Sequence, residues 1–425
     1  MNERANRRNA KHPGVSLHLD ALPNGWCNLK RYRFGFVFAL WGMLLYGAID
    51  AMRSATGPML QAQTHVTYTQ LGALFAANSI GYLLGSLPSG FIIHRTGLTR
   101  TLLFGSIAMG AILVLVAVPN SFVLLWFAFF VLGFIMGWLE IALNAIIPAV
   151  SNSARAESAG FNLLHGCYGI GATLFPTLVI YLATQSGHWS TPFLAVGILT
   201  LATALSIARY RFPNIRTQSS TADPSSVSNR RKALTTPLFY AFLLSIMLYV
   251  VAEVGTASWL PTYLVNARHM GVSLSSWYLT AFYLLFSIGR LTGPLWVHRL
   301  GSYASMLYSS VFSLALFAAV LLIPQWPILF ILSGLGFAVT FPTIVHLASQ
   351  AFPLETGRVI GLLLTFAGIG SILVNWLIGV LSTNLSINRA FWLIPISLLL
   401  VFLFTVIAMA LHRSPVTASQ NEASL

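Results

Sequence analysis

The sequence predicts an all-α integral membrane protein, a bundle of twelve transmembrane helices arranged as two pseudo-symmetric halves of six. Three observations carry that expectation. Of the 425 residues, 56% are hydrophobic and only 8% charged, with a mean hydropathy of +0.78. Apolar stretches of about 20 residues, the length needed to cross a bilayer, recur along the whole chain. Lys and Arg gather on alternate connections between them. Soluble domains carry roughly 25% charged residues, and nine Asp and Glu cannot solvate a surface of this size, so a water-soluble enzyme is excluded.

Taken in order, the expected spans are 34–57, 70–93, 101–118, 121–149, 158–183, 191–208, 237–265, 273–297, 303–323, 327–350, 358–382 and 390–411. Span 1 follows 33 residues, carries Asp50 and Arg53, and lacks a small-x-small cleavage site, so it is expected to be retained rather than removed as a signal peptide. The one long linker, 210–235, is rich in Ser, Thr, Pro and basic residues and separates a half at 34–209 from a half at 236–412. Residues 1–33 and 413–425 form polar tails. The remaining connections are short, which makes sequential helices antiparallel neighbours.

The net charge of +14 is explained by this layout. With the amino terminus inside, nineteen of the 23 Lys and Arg fall on the inner side. Arg268 and Arg389 fall outside, while Arg53 and Arg290 lie within spans. That asymmetry is the positive-inside rule. It places both termini in the cytoplasm, expects a plasma membrane of bacterial type (an inner membrane), and leaves no need for a nucleic-acid partner. Cys27 and Cys167 are expected in the cytoplasm and inside span 5, so no disulfide follows. No His or Cys pair has metal-ligand spacing and no cofactor motif is present. The absence of a G-x4-G-K-[ST] loop argues against ATP-driven pumping.

The two halves repeat. His94-Arg95-Thr96-Gly97 after span 2 matches His298-Arg299-Leu300-Gly301 after span 8, at an offset of 204. Asp50 and Glu253 lie at an offset of 203, Glu140 and His346 at 206, and Gly169-Ile170-Gly171 and Gly368-Ile369-Gly370 at 199. A duplicated six-helix unit is the simplest explanation.

Twelve spans as six and six, the basic central loop and the His-Arg-x-Gly turn resemble the major facilitator superfamily over about residues 30 to 412. The resemblance implies that spans 1, 4, 7 and 10 line a central cavity and that transport proceeds by alternating access. The superfamily turn carries Asp where this chain has His94, and a basic residue where it has Leu98. His94, Arg95, His298 and Arg299 are therefore read either as a gate or as positive-inside anchors beside a tight turn.

Asp50, Glu140, Glu253 and His346 fall on those four lining spans. An ionisable side chain costs about 2.5–3.5 kcal/mol at the centre of a spanning helix on insertion scales, so the concentration demands a use. Low dielectric favours the protonated carboxyl, and a solute that prefers one protonation state is thereby coupled to the proton. Asp50, Glu140 and Glu253 are the expected proton-coupling groups. The competing reading for Asp50 is a permanent pair with Arg53, one turn away on the same face; Arg290 on span 8 is within possible reach of Glu253. Glu140 has no basic residue within a turn. Trp138, Asn144, His165, His346, Asn78, Trp259 and Asn375 are the expected substrate contacts, each weighed against simple helix packing. Trp189 and Trp326 are assigned to the membrane interface, and Trp41 and Trp376 lie deeper.

The string Gly137-Trp138-Leu139-Glu140-Ile141-Ala142-Leu143-Asn144 resembles the L-E-x3-N element of the fucose/galactose/glucose:proton symporter family. Gly81-Tyr82 and Leu87-Pro88-Ser89-Gly90 are similar to its G-Y-F and L-P-A-G strings, and Asp50 matches its span 1 acid in kind. That resemblance implies that Asp50 and Glu140 couple protons and bind sugar, with Asn144 a sugar contact. Arg53 and the span 7 acid have no counterpart in it. The expectation is a monomeric secondary transporter of a small polar solute, a sugar or related compound moving with protons, although sodium also fits. A proton antiporter exporting drugs or metabolites is the alternative, with a membrane sensor or scramblase as a different class.

Overall fold

The computed structural model describes residues 29–118, 121–151, 153–208, 210, 212 and 235–413, and those residues contain helices and turns but no strand. Cys27, the basic residues before Leu29, most of the 210–235 linker and the tail after Arg413 lie outside the described residues. Inside a bilayer the backbone must satisfy its own hydrogen bonds, which an apolar chain with local connections does as helices.

In chain order these are α1 Leu29–Thr64, α2 Tyr68–Ser86, α3 Ser89–Thr96, α4 Leu98–Val116, α5 Phe122–Val150, α6 Ala154–Ser186, α7 Thr191–Ile207 and α8 Pro237–Arg268. They are followed by α9 Val272–Leu300, α10 Ser302–Leu322, α11 Ile328–Phe337, α12 Thr340–Ala351, α13 Thr356–Asn384, α14 Ile387–Ala390 and α15 Leu393–Arg413. Local chemistry sets several starts. Thr67 and Gln70 form a reciprocal capping box at α2, while Ser121 and Ser153 accept backbone N–H bonds at the starts of α5 and α6.

Ten of these segments are long and apolar enough to cross a membrane, counting α11 with α12 and α14 with α15. The bent pair α2 and α3 makes an eleventh, and α7, 17 residues long, completes the twelve expected spans. Two spans differ from the straight rods the sequence suggests. Span 2 bends by 47° between α2 and α3, where Pro88 lacks the N–H that would continue the ladder. Span 10 breaks at Ala338–Val339, with Pro342 in the first turn of α12. Span 1 runs on seven residues past its expected end, α1 to Thr64, whereas span 7 exceeds its own by three, α8 to Arg268.

The outer wall is apolar: Val123, Leu205 and Leu291 are 72%, 75% and 75% exposed. That pattern suits lipid rather than water. The His-Arg-x-Gly turns are copies of one another in backbone as well as sequence. Gly97 sits at φ 81°, ψ 153° and Gly301 at φ 82°, ψ 156°, a conformation that a side chain would strain. Trp189, in the connection between α6 and α7, is packed against protein. It is 8% exposed, its backbone N–H held at 3.0 Å by Gln63 Oε1 and its ring edge-on to Phe193.

Helices α1–α7 and α8–α15 meet unevenly. At the end of the bundle remote from Leu29 and Arg413, hereafter the far side, side chains bond across the two groups. The Thr69 backbone N–H and hydroxyl both donate to Thr383 Oγ1 at 2.9 Å, Asn266 donates to Gln61 Oε1 at 2.8 Å, and Ser79 and Ser371 hydroxyls pair at 3.0 Å. Thr177 and Thr280 add a fifth contact at 2.9 Å. At the opposite end, the tail side, no such bond joins the groups among the described residues. The side-chain bonds between the two groups are thus gathered on the far side.

Candidate functional site

The acids of α1, α5 and α8 lie just tailward of those bonds, each held in a distinct way. Glu140 on α5 has no cation beside it among the described residues. The hydroxyls of Tyr46 on α1 and Tyr82 on α2 both donate to its Oε2, at 2.9 and 2.8 Å. A close helix crossing makes this possible. Gly81, Gly85, Gly133 and Gly137 face one another across α2 and α5, and a Cβ on Gly137 would strike the Tyr82 carbonyl. The four glycines bring the two backbones into contact, which places Tyr82 against the acid.

Asp50 is enclosed by partners on both carboxylate oxygens. Arg53 Nη2 meets Oδ1 at 2.8 Å and the Tyr168 hydroxyl of α6 donates to Oδ2 at 2.8 Å. Arg53 is 11% exposed, and its Nη1 is buried with no protein partner among the described residues. Here too a glycine pair permits the approach, with Gly47 of α1 against the Tyr168 carbonyl and Gly171 of α6 against the Leu44 carbonyl.

Glu253 on α8 pairs with Arg290 from α9 at 3.5 Å, and Arg290 is 41% exposed with its guanidinium 4.3 Å over the Phe286 ring. Tyr283, on α9, is buried within Coulombic reach of Asp50, Arg53, Glu253 and Arg290 alike. The three carboxylates thus belong to one polar patch that spans both helix groups.

The other expected residues divide by depth. His165 on α6 is exposed and within Coulombic reach of Arg290. Trp138 is half-buried, with its indole N–H enclosed and unpartnered among the described residues, and the Asn144 amide donates to the Glu140 backbone carbonyl at 2.8 Å. Asn78, Trp259 and Asn375 are fully enclosed. Asn78 donates to the Phe129 carbonyl at 3.2 Å, tying α2 to α5. Trp259 packs edge-on to Phe75 across the two helix groups, and Asn375 donates to Ser79 Oγ and the Ser371 carbonyl. Trp259 and Asn375 belong to the contacts between the two groups and Asn78 to the packing of α2 on α5, all three buried in this conformation.

His346 on α12 is exposed toward the tail side, and no contact joins it to the three acids among the described residues; only its carbonyl is used, by Ser349. His94, Arg95, His298 and Arg299 are all exposed, and Arg95 lies 4.3 Å over the Phe91 ring with no carboxylate partner among the described residues. No group of three or more His, Cys, Asp or Glu could hold a metal ion among the described residues.

The tyrosines were missed from sequence. A signal for two of them exists: Tyr46, Asp50 and Pro58 recur as Tyr249, Glu253 and Pro261, all at an offset of 203. Tyr82 and Tyr168 have no such marker, since the repeat places Phe286 and Ala367 at their positions.

A family model described as Major Facilitator Superfamily matches residues 38–355 and 269–424. A protein called TsgA homolog from Buchnera aphidicola subsp. Baizongia pistaciae is 22% identical over 379 residues, covering 87% of this chain and 95% of that protein. The glucose/mannose transporter GlcP of Bacillus subtilis is 26% identical over 369 residues, covering 82% and 87%. The crystal structure of a D-xylose-proton symporter superposes with a TM-score of 0.71 at 16% identity, over 88% of this chain and 97% of that one. With twelve apolar spans, repeated turns and a polar patch between two helix groups already in place, these matches make the chain a member of the major facilitator superfamily, a multi-pass membrane transporter.

Proposed function

We propose that the protein is a proton-coupled symporter of a small hydroxylated solute of the sugar class. Glu140 is its principal proton site, and Asp50 and Glu253 complete the coupling patch. The observation that carries this reading is Glu140 itself, a carboxyl deep in the bundle that faces two tyrosine hydroxyls and, among the described residues, no cation. A carboxyl held by neutral donors exchanges a proton without breaking an ion pair, whereas one locked to an arginine does not. Trp138 offers an aromatic face two residues before Glu140 and Asn144 an amide one turn after it, a combination suited to the apolar and hydroxyl faces of a sugar. GlcP, named as a glucose/mannose transporter, and the D-xylose-proton symporter support the same substrate class.

In this reading the 34–209 and 236–412 halves rock about the patch, joined by the 210–235 linker, with both termini in the cytoplasm of a cell with an inner membrane. The tail side, where no side-chain bond joins the groups among the described residues, then opens inward. The far-side bonds among Thr69, Thr383, Gln61 and Asn266 break when the transporter turns outward. One copy of the chain suffices, since every group of the patch comes from it.

The test is the external pH of lightly buffered, energy-depleted cells expressing the protein as single sugars are added. Alkalinisation with one sugar, lost in Glu140→Gln while counterflow of that sugar persists, is the expected result. A Glu140→Gln protein that still concentrates the sugar against a gradient removes Glu140 from coupling. Acidification on adding organic cations or drugs would mark an exporter instead.

A further inference from the structure

The two ion pairs of the patch are built for different purposes. Asp50 and Arg53 share one helix, meet at 2.8 Å, and leave neither carboxylate oxygen unbonded once Tyr168 is counted. Glu253 and Arg290 come from different helices and meet at 3.5 Å, longer than the roughly 2.7–2.9 Å of a charge-assisted hydrogen bond. Arg290 is also 41% exposed, against 11% for Arg53. One face of its guanidinium is fixed by the Phe286 ring, and the planar fork remains available for a carboxylate at its edge. Exposed His165, on the helix of the other group that packs against α9, stands within Coulombic reach and adds a second donor.

We infer that Arg290 is the docking site for a carboxylate carried by the transported solute, a sugar acid, and that Glu253 is its internal stand-in. The incoming carboxylate takes Arg290 from Glu253, and Glu253 takes up the proton that travels with the solute. One Arg–carboxylate contact breaks and one forms, while the solute adds one negative charge and the proton one positive. The site keeps its net charge, and transport is electroneutral. The charged and titratable groups facing Glu253 are Arg290 and Tyr283 on α9, Tyr249 on its own helix and Asp50 on α1. Of these only Arg290 is a cation, so its capture leaves Glu253 with no counter-ion. Like replaces like, which favours a carboxylate over the bulkier, more highly charged phosphate ester.

This rests on the reading of the protein as a proton-coupled sugar-class transporter, and its test separates the two. Binding of D-galacturonate and D-galactose is measured on the full-length protein in nanodiscs, with proton uptake followed in weak buffer. Galacturonate is expected to bind at least tenfold tighter than galactose. Glu253→Gln frees Arg290, so it tightens galacturonate several-fold and abolishes the proton taken up with it. Arg290→Gln lowers galacturonate to the affinity of galactose. The charge-balanced Arg290→Gln/Glu253→Gln protein does the same, and keeps the test open should the single variant misfold.

Equal or tighter binding of galactose overturns the inference. So does a galacturonate preference that survives in the double variant, weaker galacturonate binding in Glu253→Gln, binding of galactose 6-phosphate in its place, or a folded protein that binds neither sugar. Alkalinisation by galactose alone in cells sinks the anion site and leaves the symport reading intact. A galacturonate preference without proton uptake keeps the anion site and sinks the coupling.

Discussion

The amino-terminal and carboxy-terminal helix groups repeat one another in their His-Arg-x-Gly turns and in the place of an acid, yet they hold their acids in opposite ways. In α1–α7 the acids are held at short range: Glu140 Oε2 by two tyrosines, Asp50 by an arginine on its own helix and a tyrosine from α6. In α8–α15 the corresponding acid, Glu253, meets a half-exposed arginine at 3.5 Å and has Tyr249 of its own helix within hydrogen-bond reach. The equivalent of Arg53 at the 203 offset is Thr256, which bonds the Ala252 carbonyl of its own helix. The repeat therefore preserved the place of the span 1 and span 7 acids but not their counter-ions. One half stores charge in closed arrangements, and the other exposes an arginine to exchange.

The largest effect should come from opening the closed pair. Asp50→Asn leaves Arg53, 11% exposed, without its carboxylate. Breaking a buried pair from one side costs about 3–5 kcal/mol, so a marked fall in thermal stability and in yield is expected, read from unfolding of the purified protein. Asp50→Asn/Arg53→Met, which removes both charges, should recover most of that loss. An Asp50→Asn protein that folds normally but transports without protons would break the contrast, since it would put both amino-terminal acids in the coupling machinery.

The tyrosines at Glu140 come next. A hydrogen bond to a charged group contributes about 1.5–3 kcal/mol. Tyr82→Phe and Tyr46→Phe each should therefore change the pH at which transport is half-maximal while leaving the fold intact. Because both hydroxyls share one oxygen, the double variant should lose less than twice the single effect. Two variants with wild-type pH profiles would show that the tyrosines merely fill space beside the acid.

Much of this arrangement was open to a reading of the sequence, and the rest was hidden for a definite reason. Span lengths, charge asymmetry, the copied turns at Gly97 and Gly301 and the acids on spans 1, 4 and 7 are local or periodic features, visible along one chain. Asp50–Arg53 was equally visible, since a separation of three residues puts both on one helix face. The partners of Glu140 were not, because Tyr46 lies 94 residues away and Tyr82 58, and only the crossing of α2 on α5 brings the latter into reach. Depth misled as well. Asn78, Trp259 and Asn375 look like cavity residues from their polarity or size, but the packing of neighbouring helices encloses them. His346 matches Glu140 by offset alone, and the break in span 10 at Ala338–Val339 leaves it toward the tail side.

The smallest effect sharpens the comparison most, because it concerns two residues at the same repeat position. Tyr46 and Tyr249 each precede an acid by four residues, but the Tyr249 hydroxyl bonds the Phe337 carbonyl. Phe337 ends α11, where the span breaks and the last carbonyls of a helix have no donor in their own ladder. Tyr249 thus pins the break in span 10 while lying within hydrogen-bond reach of Glu253 on its own helix, whereas Tyr46 is committed to Glu140 on α5. Tyr249→Phe should cost about 1 kcal/mol, the net value of a neutral hydrogen bond, seen as a modest drop in thermal stability. The ratio of protons to solute should not change, and the pH profile should overlay that of the parent protein. A shifted profile in Tyr249→Phe comparable to that of Tyr46→Phe would mean that both tyrosines act on their neighbouring acids, and that the two halves work alike.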